Sequence, residues 1–266
     1  MASRLITGLT PTREQAYQER IILRLARDSE MAIRREVARA YRDIANNGED
    51  VLQIHEERMN RILTSLYNAA FGTFGRRMWS ATQKANQPNE QKRDTVPLTP
   101  QFDLARRVWI AATAAYKVTE ITNTTLSQAQ EIIRQSTAEA VELGLSEVET
   151  AALIRRRIGE VGGQLSRLRS RIISRTESHA ASTASTQMAA KASGLPMQKE
   201  WISAGLTERS RDIHYYTMNG QKVEIDEAFV VPRKSGGSDL LQQPGDINGS
   251  AENVINCRCV CGYSLP

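Results

Sequence analysis

TPTREQAYQERIILRLARDSEMAIRREVARAYRDIAN, residues Thr10 to Asn46, is built almost wholly from strong helix formers. Ile22, Ala26, Ile33, Val37, Tyr41 and Ile44 recur at spacings of three, four and seven, with Arg and Glu between them. That is the pattern of a long helix burying one stripe. Thr12 and Gln15 have capping-box spacing and place the helix start there. Gly48 in NNGED suits the left-handed cap that ends it.

The same texture continues for most of the chain. Val51, Ile54, Met59, Ile62, Leu66 and Ala70 predict a second helix reaching about Thr82. Gln83 to Gln101 is polar and broken by prolines, which reads as a linker. Helix resumes through Leu104, Val108, Ala111, Ala115 and Val118, and a further helix ends at Gly144. Ser146 and Glu149 form a second capping box. Gly162 and Gly163 predict a break before the last long helix, which ends at Gly194.

Beyond Gly194, Gly, Pro, Asp, Val and aromatic residues arrive in short runs. MQKEWISAG and EAFVVP read as strands, Asn219-Gly220 as a tight hairpin turn, and KSGGSDLLQQPGDINGSAENV as a loop. INCRCVCGYS reads as a terminal strand with Cys257, Cys259 and Cys261 on one side. The fold class is therefore mainly α: a long helical body with a small C-terminal α+β domain. The expected divisions are a helical N-terminal region 1–125, a helical connector 126–194 and an α+β domain 195–266.

Composition narrows the function. The 266 residues can bury a core without staples. No window approaches the roughly twenty apolar residues of a membrane span, so no membrane partner is expected. The opening MASRLITGLTPTREQ lacks an apolar stretch before Arg13 and Glu14, and no secretory leader is expected. A chain of three cysteines made in a reducing compartment argues against disulfides. Net charge is only +5 but uneven, with seven arginines between Arg155 and Arg175. Such crowding favours an anionic partner without naming it.

The order of landmarks carries more than any one of them. ISRTE (Ile173 to Glu177) is followed by KEW (Lys199 to Trp201), then RSRDIHYYTMNGQKV with Arg211 and His214. PGD (Pro244 to Asp246) and NCRC (Asn256 to Cys259) complete the series. From about Leu126 to Tyr263 this resembles the Mu F-like minor head proteins of tailed bacteriophages, also called phage head morphogenesis proteins. The resemblance implies a structural, non-enzymatic minor capsid protein. It would be assembled in the host cytoplasm and housed inside the virion near the portal. Implied partners are the portal protein, a major capsid or scaffold protein and packaged double-stranded DNA, with self-association as a further expectation.

Two sets of residues are candidate sites. His214 with Cys257, Cys259 and Cys261 supplies a complete Cys₃His set for zinc. Against it, strand residues i and i+2 stand roughly 6–7 Å apart, so Cys-x-Cys chelation needs a bend. Packing of small, soft side chains on the inner face of the terminal strand is the weightier reading, and no cofactor is expected, with Zn as the alternative. Arg167, Arg171 and Arg175 fall on one helix stripe, with Arg155 and Arg156 beyond the Gly162-Gly163 break. Together they form a candidate surface for sequence-blind DNA binding. Glu177 is expected to pair with Arg209 or Arg211, and Arg175 with phosphate or Asp212. His55 and His179 read as solvated or interhelical. The rivals are a nuclease or ADP-ribosyltransferase in the C-terminal domain, or a protein adaptor without DNA affinity.

Overall fold

The computed structural model describes residues 5–86, 99–206 and 211–266. Its helices are α1 (Pro11–Asn47), α2 (Leu52–Ala70), α3 (Arg76–Asn86), α4 (Pro100–Glu142), α5 (Glu147–Arg157), α6 (Gly163–Ala192) and the short α7 (Ala251–Val254). The mainly α architecture with a small strand-bearing C-terminal part is as the sequence indicates. One antiparallel sheet has the order β2 (Lys222–Glu224), β1 (Gln198–Ile202), β5 (Val260–Ser264), and β3 (Phe229–Pro232) pairs with β4 (Ser238–Leu241).

By contact the chain forms two compact units. One comprises Met1–Ala26, Leu66–Ile110 and Arg175–Pro266; the other comprises Arg27–Ser65 and Ala111–Ser174. The small sheet therefore shares its unit with helical segments from earlier in the chain and does not close on itself at residue 195. Leu5 packs against Ile202 and Val260, and the Ile6 N–H donates to the Tyr263 carbonyl at 2.7 Å.

Several expectations hold. The predicted α1 stripe, Ile22 through Ile44, is buried at every position. Gly48, Gly144 and Gly194 take left-handed φ of +68°, +64° and +68° at helix ends, and the Ser146–Glu149 capping box forms. Others are corrected. Helix α1 starts at Pro11, so Thr12 lies inside the first turn and caps nothing. Ile54 is exposed; the buried face of α2 runs through His55, Met59, Leu63, Leu66 and Tyr67. Leu104 and Val108 are also exposed, because α4 buries Phe102, Ile110, Ala114, Val118 and Ile121 in a different phase. The two helices expected between Leu104 and Gly144 are one helix of 43 residues. The linker expected at 83–101 falls largely on residues 87–98, outside the described residues.

The Gly162-Gly163 break does not occur. Ile158–Gly162 is a single π turn between α5 and α6, and Phe71–Gly75 is another between α2 and α3. Each ends on a glycine under an aromatic ring. A Cβ on Gly162 would meet Tyr41 Cγ at 3.2 Å, and one on Gly75 would meet Phe102 Cζ at 2.8 Å. The extra residue of a π turn re-aims the helix face, and here it presents a bare backbone for the ring to cover.

The later part of α6 is buried on nearly every side although it is made largely of Ser, Thr and Ala. From Thr176 to Gln187 every residue is buried. Its hydroxyls bond back to the helix: Ser182 to the Ser178 carbonyl, Thr183 to His179, and Thr186 to Ser182, at 2.7 to 3.0 Å. That satisfies these three hydroxyls without outside partners, so neighbours can approach closely there.

The C-terminal stretch departs from its reading in three places. Asn219-Gly220 is a type II turn, with Gly220 φ at +82° and the Gln221 N–H donating to the Met218 carbonyl at 2.9 Å. It joins a π turn (His214–Met218) to β2, not two strands. The stretch read as loop contains β4 and α7. Only Cys261 lies on the terminal strand, which begins at Val260.

Candidate functional site

The strand β5 is preceded by a reversal of the chain. Asn256, with φ +57°, is the one non-glycine residue in the left-handed region among those described. The Cys257 N–H donates to the Val254 carbonyl at 3.1 Å. This turn carries Cys257 and Cys259 out of strand geometry, supplying the bend that Cys-x-Cys chelation requires. His214, first residue of its π turn, meets them: Nδ1 is 3.7 Å from Cys257 Sγ and 3.6 Å from Cys259 Sγ. The three ligand atoms lie within 4.8 Å of one another, and all three residues are buried. Cys261 is not brought to this cluster. It sits opposite Trp201 in the sheet with its thiol near Lys199 and Tyr263, and burial pushes that thiol up to about 12.

The imidazole is held in one tautomer. Asn253 Nδ2 donates to Asp239 Oδ2 at 2.9 Å and to the Pro232 carbonyl at 3.3 Å. Carboxylates only accept, so Asn253 Oδ1 is left to face His214 Nε2, at 3.1 Å. The His214 proton therefore sits on Nε2, and the Nδ1 lone pair points at the two sulfurs. Asp239 is itself fixed by the Ser250 N–H at 2.9 Å and the Ser250 hydroxyl at 2.5 Å. Against the pull of burial, hydrogen bonds from Ser250 and Asn253 keep the Asp239 carboxyl below its ordinary range.

The sulfurs share their charge unequally. Against the pull of burial, a hydrogen bond from Cys259 draws the Cys257 thiol well below its ordinary value. The same bond pushes Cys259 up, since losing its proton would place two thiolates side by side. Trp201 walls the cluster, its ring edge-on to His214 with centroids 5.3 Å apart. Its indole N–H has no hydrogen-bond partner among the described residues and lies near enough to Cys259 to favour the thiolate.

Behind the cluster stands α6. His179 Nε2 donates to the Cys259 carbonyl at 2.7 Å, and the Thr176 hydroxyl accepts from the Asn256 N–H at 3.2 Å. His179 is thus neither solvated nor interhelical. Gly245 makes room for it: a Cβ there would fall 2.3 Å from His179 Nδ1. Glu177 accepts from the Tyr67 hydroxyl at 2.7 Å, while Arg211 donates to the Ile255 carbonyl; Arg209 lies outside the described residues. Arg175 reaches Glu19 at 3.5 Å. Asn253, Asp239 and Trp201 gave no sequence signal as cluster partners, because Asp239 and Asn253 fall in the stretch read as loop.

Residues 131–262 match the family model described as Phage Mu protein F like protein. That stretch of the chain belongs to the Mu F-like family. No curated protein and no solved structure matches the chain.

The Mu F-like region contains the thiol–imidazole cluster and all five candidate DNA-binding arginines, and the structure divides those arginines. Arg155, Arg156 and Arg167 are exposed, and no ion pair is found for them among the described residues. Arg171 is exposed but lies 3.3 Å from Glu30. Arg175 is half-buried against Glu19, which Arg258 also approaches at 3.5 Å. Arg169 is turned inward, donating to the Thr125 hydroxyl at 2.7 Å. A further basic surface lies on α1, outside the Mu F-like region. Arg34, Arg35, Arg39 and Arg42 line an open groove of about 330 Å³. The run IRREVARAYR carried that signal in its spacing, i, i+4, i+7 from Arg35.

Proposed function

We propose that this chain is a structural head-morphogenesis protein of a tailed bacteriophage that holds duplex DNA without reading its sequence. Family membership points to head morphogenesis. The observation that carries DNA contact is the set of exposed guanidinium groups without carboxylate partners among the described residues, Arg155, Arg156 and Arg167, joined by the arginine groove on α1. Phosphate contacts of this kind position a protein and read no base. The same reading puts the chain inside the virion, near the portal, touching portal or shell proteins and copies of itself. Many weak contacts multiplied by copy number give retention. Catalysis is not required, and the pair that suggested it is committed elsewhere: Glu177 holds Tyr67 and Arg175 holds Glu19.

The test is binding to random-sequence duplex as a function of salt. Five engaged phosphates give a log–log slope of about −4 to −5. The Arg155→Glu, Arg156→Glu, Arg167→Glu triple variant lowers affinity and flattens that slope. Absence of binding at low salt, or an unchanged slope in a folded variant, overturns the DNA reading and leaves the protein adaptor. Nicking of the duplex by purified protein would favour the nuclease.

A further inference from the structure

We infer that His214, Cys257 and Cys259 form a binding site for one thiophilic divalent cation, zinc foremost, with His214 Nδ1 and the two sulfurs as ligands. The distances carry this. Bonds of about 2.3 Å to sulfur and 2.0–2.1 Å to nitrogen, opened at the tetrahedral angle, set nitrogen and sulfur about 3.5–3.6 Å apart. Here the two separations are 3.7 and 3.6 Å. Two sulfurs at nearly equal distance from one lone pair exceed what hydrogen bonding can use, because Nδ1 accepts only one S–H. A cation takes the lone pair and both sulfurs together.

Groups around the ligands agree. A metal-bound histidine ordinarily donates its other ring N–H to a fixed oxygen, and the Asp239–Asn253 pair supplies that oxygen at 3.1 Å from Nε2. The Trp201 ring stands edge-on to His214, and its buried indole N–H, without a hydrogen-bond partner among the described residues, is available to a metal-bound sulfur. Two thiolates and a neutral imidazole around a divalent ion sum to zero charge, which suits a buried site better than free thiolates. The fourth position falls to a water: the recess beside His214 and Cys259, lined also by Ser203, Arg211 and Tyr215, is about 10 Å³, the room of a single molecule. Binding displaces the protons the two thiols still carry to solvent and leaves oxidation states unchanged. Cys261, two residues beyond the second ligand, stays outside.

The site clips the His214–Met218 turn to the chain entering β5, so metal should be a fastening for that part of the fold. The experiment uses the untagged full chain, stripped of metal under reducing conditions and titrated with Co²⁺. A thiolate-to-cobalt charge-transfer band with visible bands of tetrahedral intensity, saturating at one equivalent and lost on adding Zn²⁺, is expected. Cys261→Ala keeps that band; Cys257→Ser and Cys259→Ser lose it while circular dichroism still shows the helices. A folded wild-type chain with no band at excess Co²⁺ overturns the proposal. So does a band that survives Cys257→Ser or vanishes with Cys261→Ala. The readout is independent of DNA, so its failure leaves the proposed function standing.

Discussion

Lys199 lies fully buried on the middle strand of the sheet, its ammonium donating to the Gln242 carbonyl at 2.8 Å with the Phe229 ring nearby. Burial lowers its pKa to about 8 from 10.5. A lowered pKa means the folded state resists the charged form, so between about pH 8 and 10 the unfolded chain binds more protons. The penalty, about 3 kcal/mol, is complete below pH 8 and vanishes as pH rises past the unfolded value. Lys199→Met should therefore be more stable than wild type at pH 7, with the gap shrinking towards pH 10 in urea melts. A gap independent of pH would show that packing alone is at stake. Gly245→Ala meets two obstacles, a φ of +75° and the His179 ring, and should lose about 3 kcal/mol or more. The sequence marked these positions only through the landmarks KEW and PGD and through the strand reading of MQKEWISAG. Neither a buried ammonium nor a close approach leaves a trace in composition.

Among the elements, α6 shows where periodicity stops informing. An amphipathic stripe is legible because one face differs from the other, and the stripe of α1 from Ile22 to Ile44 is buried as its spacing predicts. From Thr176 to Gln187 there is no contrast between faces, yet all are buried. Small size qualifies the Ala, Ser and Thr residues, and fixed partners the rest: Tyr67 for Glu177, the Cys259 carbonyl for His179 and Tyr263 for Gln187. Ala181→Leu, at a position with 0 % exposure, should cost about 1–3 kcal/mol by overpacking despite equal helix propensity. Gly163→Ala has the opposite sign. Gly163 is helical, with φ −64°, and nothing lies within 4 Å of an added Cβ. Thermal melting should show a gain of about 0.5–1 kcal/mol. The π turn itself was invisible in sequence: a Gly-Gly pair signals a break until tertiary packing places Tyr41 over one of them.

At the scale of the molecule, the compact unit holding the thiol–imidazole cluster also takes in residues near the start of the chain. Leu5 is 3 % exposed and covers Gly262, where a Cβ would fall 2.7 Å from its methyl carbons. Gln18 donates to the Cys261 carbonyl at 3.2 Å. Leu5→Ala should cost about 2–5 kcal/mol, as for a core leucine, and hydrogen exchange should quicken in β5. A terminal residue of no importance would leave both unchanged. The resemblance that begins near residue 126 gave no warning of this, since it covers only one side of the contact.

Helix formers at helical spacing, left-handed glycines and a capping box act within a few residues, so the chain's own order determined the helical stretches, the ends at Gly48, Gly144 and Gly194, the start at Ser146 and the mainly α class. Five short landmarks in series likewise placed the later half in its family. What brought Cys257 and Cys259 to His214, left Cys261 apart, turned Arg169 inward and left Arg155 outside was decided only in three dimensions. Those outcomes depend on one left-handed asparagine and on contacts between residues forty or more positions apart, where spacing along the chain no longer measures distance.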